Sequence, residues 1–144
     1  MQLVMKYFNE LSLDELYDIL SARSAVFVVE QHCAYQDPDD IDRKALHLFF
    51  REQNQIKAYL RLFKKDDHTV QIGRLLSLER NQGLARKLLS AGIKASCQFN
   101  GDRLYLETQL QARALYETEG FTQEGDPFER DGIPHIAMVR CYHC

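Results

Sequence analysis

The run Arg80-Asn81-Gln82-Gly83-Leu84-Ala85 stands immediately ahead of an amphipathic stretch, a placement suited to an anion. The first turn of a helix carries amides with no partner inside the helix, and the aligned peptide dipoles favour negative charge there. Gly83 lets the backbone come close to a phosphate. The run lacks the Gly-Lys-Ser/Thr ending of a P-loop and the three spaced glycines of a dinucleotide fingerprint, so alone it is compatible with an ordinary strand-to-helix turn. A second cluster, Asp37, Asp39, Asp40 and Asp42, puts four carboxylates within six residues. Such a cluster either draws a cationic amine or forms a solvated loop. It is not an EF-hand, because Ile41 stands where a ligand belongs and the required glycine is missing. Cys141 and Cys144 form a C-x-x-C pair, but a structural zinc wants a second pair, and Cys33 and Cys97 stand alone. No metal site is expected.

These residues must be positioned by a small set of elements. Leu3 to Phe8 suits a strand, and Ser12-Leu13-Asp14-Glu15 has the spacing of a capping box that opens a helix. Ala25 to Val29 is uniformly apolar and reads as a buried run of undecided backbone. Tyr35 to Ala45 is too polar for a core element and reads as a surface loop. Leu46 to Arg51, Ile56 to Phe63 and Thr69 to Leu78 suit three strands of a meander. Gly83 to Phe99 predicts an amphipathic helix with Leu84, Leu88, Ala91 and Ala95 on one face. A short strand around Leu104 and Leu106 follows, then a helix over Gln109 to Glu119 stopped by Gly120. Asp131-Gly132 is a hairpin turn before a last strand over Ile133 to Val139. A strand, crossover helix and strand in succession require a parallel pair beside an antiparallel meander. The predicted fold is therefore α/β, a mixed and mostly antiparallel sheet with a central parallel pair and helices on both faces.

The chain has 144 residues, 45% of them hydrophobic, and 18 Lys+Arg against 21 Asp+Glu give a net charge of -3. One domain over residues 1–144 is expected, with no dedicated polyanion or membrane surface. The N-terminus lacks the apolar core of a secretory signal, and no apolar stretch is long enough for a membrane span. A cytoplasmic location and four reduced thiols follow as expectations.

The sequence resembles the GCN5-related N-acetyltransferase (GNAT) superfamily, whose acetyl-CoA loop has the pattern Gln/Arg-x-x-Gly-x-Gly/Ala at a helix start. Arg80, Gly83 and Ala85 match it. Downstream, Gln109, Ala112, Tyr116, Gly120 and Phe121 match the superfamily's Asn-x-x-Ala-x-x-x-Tyr-x-x-x-Gly-Phe helix, with Gln109 in place of the commoner Asn. A narrower likeness to the ElaA-like subgroup rests on Phe27 to Gln31, Cys33-x-Tyr35-Gln36-Asp37, His47-Leu48, Ile72-Gly73-Arg74 and Asp131 to Met138. It covers nearly the whole chain. The resemblance implies an acetyl-CoA-dependent N-acetyltransferase acting on an amine, with acetyl-CoA as co-substrate.

By position, the resemblance implies that the backbone of Leu76, Ser77 and Leu78 pairs with the pantetheine arm where two parallel strands splay. Amides from Gln82 through Gly83, Leu84 and Ala85 to Arg86 would bind the pyrophosphate. Arg80 and Arg86 can add charge-assisted bonds, and Gln109 belongs to the cofactor side. An amide near Leu76 would stabilise the oxyanion, and Tyr116 occupies the general-acid position. His135, Glu30 and Glu107 are candidates for the base that takes the amine proton. Gln31, Cys33, Tyr35 and Arg74 are assigned to the acceptor pocket. The expected acceptor is a small-molecule amine. Two rival readings are a CoA-binding module without catalysis and an enzyme acting on RNA-associated substrates, which the net negative charge disfavours. Nucleic acid is thus not an expected partner. A homodimer stays open, because a last strand carrying Ile136 and Met138 can pair across two copies or close the sheet alone.

Overall fold

A computed structural model describes residues 1–33, 36–80 and 83–141. Seven strands form one sheet: β1 (Gln2–Tyr7), β2 (Leu46–Glu52), β3 (Gln55–Lys64), β4 (Thr69–Ser77), β5 (Arg103–Gln109), β6 (Thr122–Arg130) and β7 (Ile133–Cys141). Their order is β1-β2-β3-β4-β5-β7-β6. Every neighbouring pair is antiparallel except β4 and β5. The α-helices among the described residues are α1 (Leu13–Arg23), α2 (Leu84–Ala95) and α3 (Arg113–Glu117).

Strand alternation sends successive side chains to opposite faces, and each face has its own core. On one, Leu48, Leu60, Leu62, Ile72 and Leu104 pack against Leu84, Leu88 and Leu89 of α2. On the other, Phe49, Tyr59 and Leu76 pack against Ile19, Ala22 and Val26. Each leucine buried this way contributes about 2 kcal/mol. The last strand β7 lies between β5 and β6, so both its edges are used within the chain.

Several expectations are corrected. The apolar run after α1 is a π-helical segment, Ser24–Glu30, in which only Val26 is buried and Val29 is 69% exposed. Helical winding spreads the run around an axis, so a single side meets the sheet. The helix expected from Gln109 is shorter: Gln109 closes β5, a 3₁₀ turn covers Leu110–Ala112, and α3 begins at Arg113. Strand β6 was not anticipated over its length, because an exposed edge strand carries no apolar alternation to reveal it. Cys97, exposed on the turn after α2, is disulfide-bonded rather than reduced, while Cys33 and Cys141 are free. Tyr35, Gln82 and Cys144 lie outside the described residues. Among the described residues no helix is long and apolar enough to cross a membrane.

The largest correction concerns the acidic segment. Asp37 and Asp42 are each only 5% exposed, and Arg23, at the end of α1, is wholly buried. Arg23 donates from Nε to Asp37 at 3.0 Å and from Nη1 to Asp42 at 2.7 Å. Arg61 on β3 donates from Nη1 to the same Asp42 oxygen at 2.7 Å and grips Asp39 through both terminal nitrogens. Arg74 on β4 completes the array by donating from Nε to Asp37 at 3.0 Å. Three guanidinium groups and three carboxylates thus neutralise one another, which a polar loop sequence does not announce. Of the four aspartates only Asp40 stays exposed. Beside the array, buried His47 bonds the Tyr59 hydroxyl at 2.6 Å and the Asp42 carbonyl at 2.9 Å.

Burial raises the Asp42 carboxyl's pKa, but the hydrogen bonds and charges of Arg23 and then Arg61 outweigh it and hold the group below its ordinary value. A depressed folded pKa gives stability that is present above the unfolded value and lost as pH falls through the folded one. Asp42→Asn should therefore cost about 3 kcal/mol near neutral pH, because it leaves buried guanidinium charge uncompensated. In denaturant titrations the gap between wild type and variant should narrow as pH drops below about 4. A gap that is small at pH 7, or constant down to pH 3, would contradict this account.

Candidate active site

Strands β4 and β5 are in register only over Thr69–Gln71 with Arg103–Tyr105, after which they part. The parting coincides with a bulge. Between Arg61↔Gly73 and Tyr59↔Leu76 the register shifts, so Leu60 alone faces both Arg74 and Leu75. Arg74 has φ +55°, in the left-handed region. A bulge of this kind bends its strand and increases the local twist, which turns β4 away from β5.

A cavity of about 400 Å³ occupies the gap. Its lining includes Ile72, Leu106 and Tyr116 from the α2 side and Arg61, Phe63 and His135 from the opposite face, so it crosses the sheet. Leu78 donates its amide to the Lys57 carbonyl of β3 at 2.8 Å. By alternation Leu76 turns the same way, and the backbone of Leu75 and Ser77 faces the parting. The Leu76 side chain is buried among Tyr59 and the α1 core, and the Ser77 hydroxyl donates to the Glu79 carbonyl at 2.7 Å. Leu78 is partly exposed just beyond the strand.

Tyr116 is nearly buried, with its ring edge-on to Phe121 at 6.1 Å. Burial raises its pKa to about 12, against a smaller opposing effect of its hydrogen bond with Thr108. The phenol is therefore neutral at physiological pH and able to donate. Across the cavity His135 stacks on Phe128, and its Nδ1 lies 2.8 Å from the Ile133 carbonyl. That contact requires the proton on Nδ1, so in the neutral form of the ring the lone pair is on Nε2. Glu107 also lines the cavity, with both oxygens occupied, one by the Tyr105 hydroxyl at 2.7 Å and the other by Arg130 at 2.6 Å.

Sequence-predicted residues separate into two groups. Tyr116, His135, Gln31, Cys33, Arg74 and Gln109 all border this one cavity. Gln109 donates to Gln31 at 3.2 Å, which joins β5 to the segment after α1. Glu30, by contrast, is not among the cavity's lining residues and pairs with Arg80. The acceptor-side assignment of Arg74 meets a side chain already committed to Asp37 and Asp39. Arg61, Phe63 and Gly73 were missed because strand alternation alone does not say which inward residues meet a gap rather than a core.

At the α2 N-terminus, Gly83 has φ +67°, a conformation natural to glycine, and no side chain caps the helix. The first intrahelical bond runs from the Lys87 amide to the Gly83 carbonyl at 3.1 Å. The amides of Leu84, Ala85 and Arg86 precede it. Among the described residues nothing lies within 4 Å of a Cβ placed on Gly83, an opening beside unpaired helix-terminal amides that fits a diphosphate. Arg86 flanks it, bonded to Glu119 at 3.2 Å.

A family model described as an acetyltransferase (GNAT) domain matches residues 13–141. A UPF0039 protein of Schizosaccharomyces pombe is 43% identical over 143 residues, 96% of this chain and 95% of its own length. Protein ElaA of Escherichia coli is 36% identical over 141 residues, 93% of this chain and 92% of its own length. An acyl-CoA N-acyltransferase of Pseudomonas aeruginosa is similar in structure, with TM-score 0.90 and 34% identity, covering 97% of this chain and 99% of that one.

Burial raises the Cys33 thiol above its ordinary pKa, with Asp131 adding to the effect and Arg74 opposing it. A raised pKa leaves little thiolate at pH 7. Cys33 should be alkylated by iodoacetamide slowly at pH 7, with a rate still climbing beyond pH 9. Peptide mass spectrometry across a pH series reads this directly, and a rate that levels off below pH 8 would show an activated thiol instead.

Proposed function

We propose that this chain, which belongs to the GCN5-related N-acetyltransferase family and to its ElaA-like group, transfers an acetyl group from acetyl-CoA directly to a primary amine of a small molecule. It is an acyl-CoA N-acyltransferase, and residues 1–144 act in this reading as one catalytic domain. The observation that carries the proposal is the cavity through the sheet. Its lining comes from both faces of the sheet, which supports a reading in which the two reactants approach from opposite sides and meet beside Tyr116 and the bulge.

Acetyl-CoA supplies the acetyl group as an activated thioester. Around it the chain's own groups divide the work. The amides of Leu84, Ala85 and Arg86 hold the diphosphate, with Gly83 leaving room for it. Arg80 and Arg86, both exposed, adjust their carboxylate partners to reach phosphate oxygens. The backbone of Ser77 bonds the pantetheine arm along the free side of β4, and Leu78 and Gln109 flank it. The Leu75 amide donates to the negative charge that grows on the carbonyl oxygen, a contribution of about 3 kcal/mol for one well-placed donor.

Tyr116 donates its proton toward the departing sulfur, a role that suits a buried neutral phenol. His135 accepts the amine proton through Nε2, with Ile133 fixing the tautomer. Gln31 and Cys33 border the acceptor side. Glu30 receives no step, because its partner is Arg80 away from the cavity.

A thiol-release assay with acetyl-CoA and a panel of primary amines, run beside calorimetric titration, tests the reading. Wild type should bind acetyl-CoA and release thiol only with amine present. Tyr116→Phe should lower kcat about a hundredfold while acetyl-CoA affinity changes little. Unchanged turnover would remove Tyr116 from the reaction. Binding without turnover across the panel would favour a non-catalytic CoA-binding module, and absence of binding would overturn the whole assignment.

A further inference from the structure

Arg74 occupies a backbone conformation that disfavours every residue with a Cβ except, mildly, Asn and Asp. Its neighbour Gly73 could adopt that conformation at no cost, yet Gly73 stays in register with Arg61. Something must hold the left-handed turn on the arginine. The side chain supplies the reason. Its Nε donates to Asp37 Oδ1 at 3.0 Å and its Nη2 to the Asp37 carbonyl at 3.2 Å. Asp37 is itself immobilised by wholly buried Arg23, which donates to Oδ2 at 3.0 Å and to the same carbonyl at 2.8 Å.

We propose that the Asp37–Arg74 pair is a positioning device for the reaction: it clamps the left-handed bulge of β4 and so aims the Leu75 backbone into the cavity. Neither side chain touches the reacting atoms in this account. Asp37 belongs to the segment that follows Gln31 and Cys33, so the clamp also fixes the acceptor side of the cavity relative to the strand. The inference rests on the acetyl-transfer reading given above.

A substitution series at Arg74 separates this role from a direct one. If the side chain acts through the backbone, kcat should follow tolerance of the left-handed region, with Arg74→Gly and Arg74→Asn above Arg74→Ala, and Ala about tenfold below Gly. The acetyl-CoA dissociation constant and the acceptor KM should move less than about threefold. Asp37→Asn should lower kcat about tenfold with Arg74 present and have little effect in the Arg74→Gly background, because glycine needs no clamp. Equal losses for Gly, Asn and Ala, or the same Asp37→Asn loss in both backgrounds, would overturn the proposal. Should Arg74→Ala fail to fold, the Asp37→Asn comparison in the two backgrounds still decides.

Amide hydrogen exchange over residues 73–77 gives a readout that needs no activity. It should quicken in Asp37→Asn and return toward wild type when Arg74→Gly is added. Wild type that binds acetyl-CoA without turnover would count against acetyl transfer and leave the exchange result to judge the clamp by itself.

Discussion

A guanidinium removed from water must be matched by fixed carboxylates, and Arg23 has no solvent exposure at all. Most of the architecture around the cavity follows from that demand. Arg23 ends α1, Asp37 and Asp42 belong to the segment before β2, and Arg61 and Arg74 project from β3 and β4. Four segments distant in sequence are thereby held in one arrangement. A hydrophobic contact tolerates sliding, whereas hydrogen bonds of 2.7 to 3.0 Å between planar groups do not. The array sits where β4 leaves β5, the place where the sheet has no ladder of its own to keep its shape.

The same array accounts for the electrical character of the cavity. Arg61 and Arg74 line it, yet their charges are already matched by aspartates. Glu107 is likewise matched by Arg130. What is left facing the space is a neutral phenol, an imidazole, the Cys33 thiol, glutamine amides, backbone and one exposed carboxylate, Asp131. A neutral amine attacking a thioester needs donors and acceptors placed for developing charge rather than strong fixed charges that would hold the amine as ammonium. In this reading the ion pairs build the walls and leave the chemistry to weaker groups.

The outline of this arrangement was legible in the sequence. The leucine stripe of α2 and the Asp131-Gly132 turn placed that helix and the last hairpin, and the succession of strand, helix and strand called for the parallel pair, while the insertion of β7 between β5 and β6 was not read from the sequence. The residues matched by family pattern, Tyr116 and Gln109 with Gln31, Cys33 and His135, border one cavity. Two features were hidden for physical reasons. Aspartates in a turn-rich run look the same whether water or a buried arginine solvates them, so Asp37 and Asp42 read as surface. A bulge leaves no mark in hydropathy, so Arg74 read as a side chain facing substrate rather than a backbone held in place. The π-helical segment was ambiguous because five consecutive apolar residues carry no period at all.

Opening a sheet between two parallel strands removes hydrogen bonds that the fold must replace or do without. The topology limits that loss. Strand β5 is secured on its other side by seven register pairs with β7, from Arg103 to Gln109. Strand β4 is secured by β3 on both sides of its bulge. Each strand can thus leave the other after three residues without losing its place, and the backbone groups exposed in the gap are available to an extended ligand arm in place of a strand. Insertion of β7 between β5 and β6 is what provides this independence. Had β5 been an edge strand, parting from β4 would have left it unsupported, and the cavity would have closed by collapse or opened by fraying.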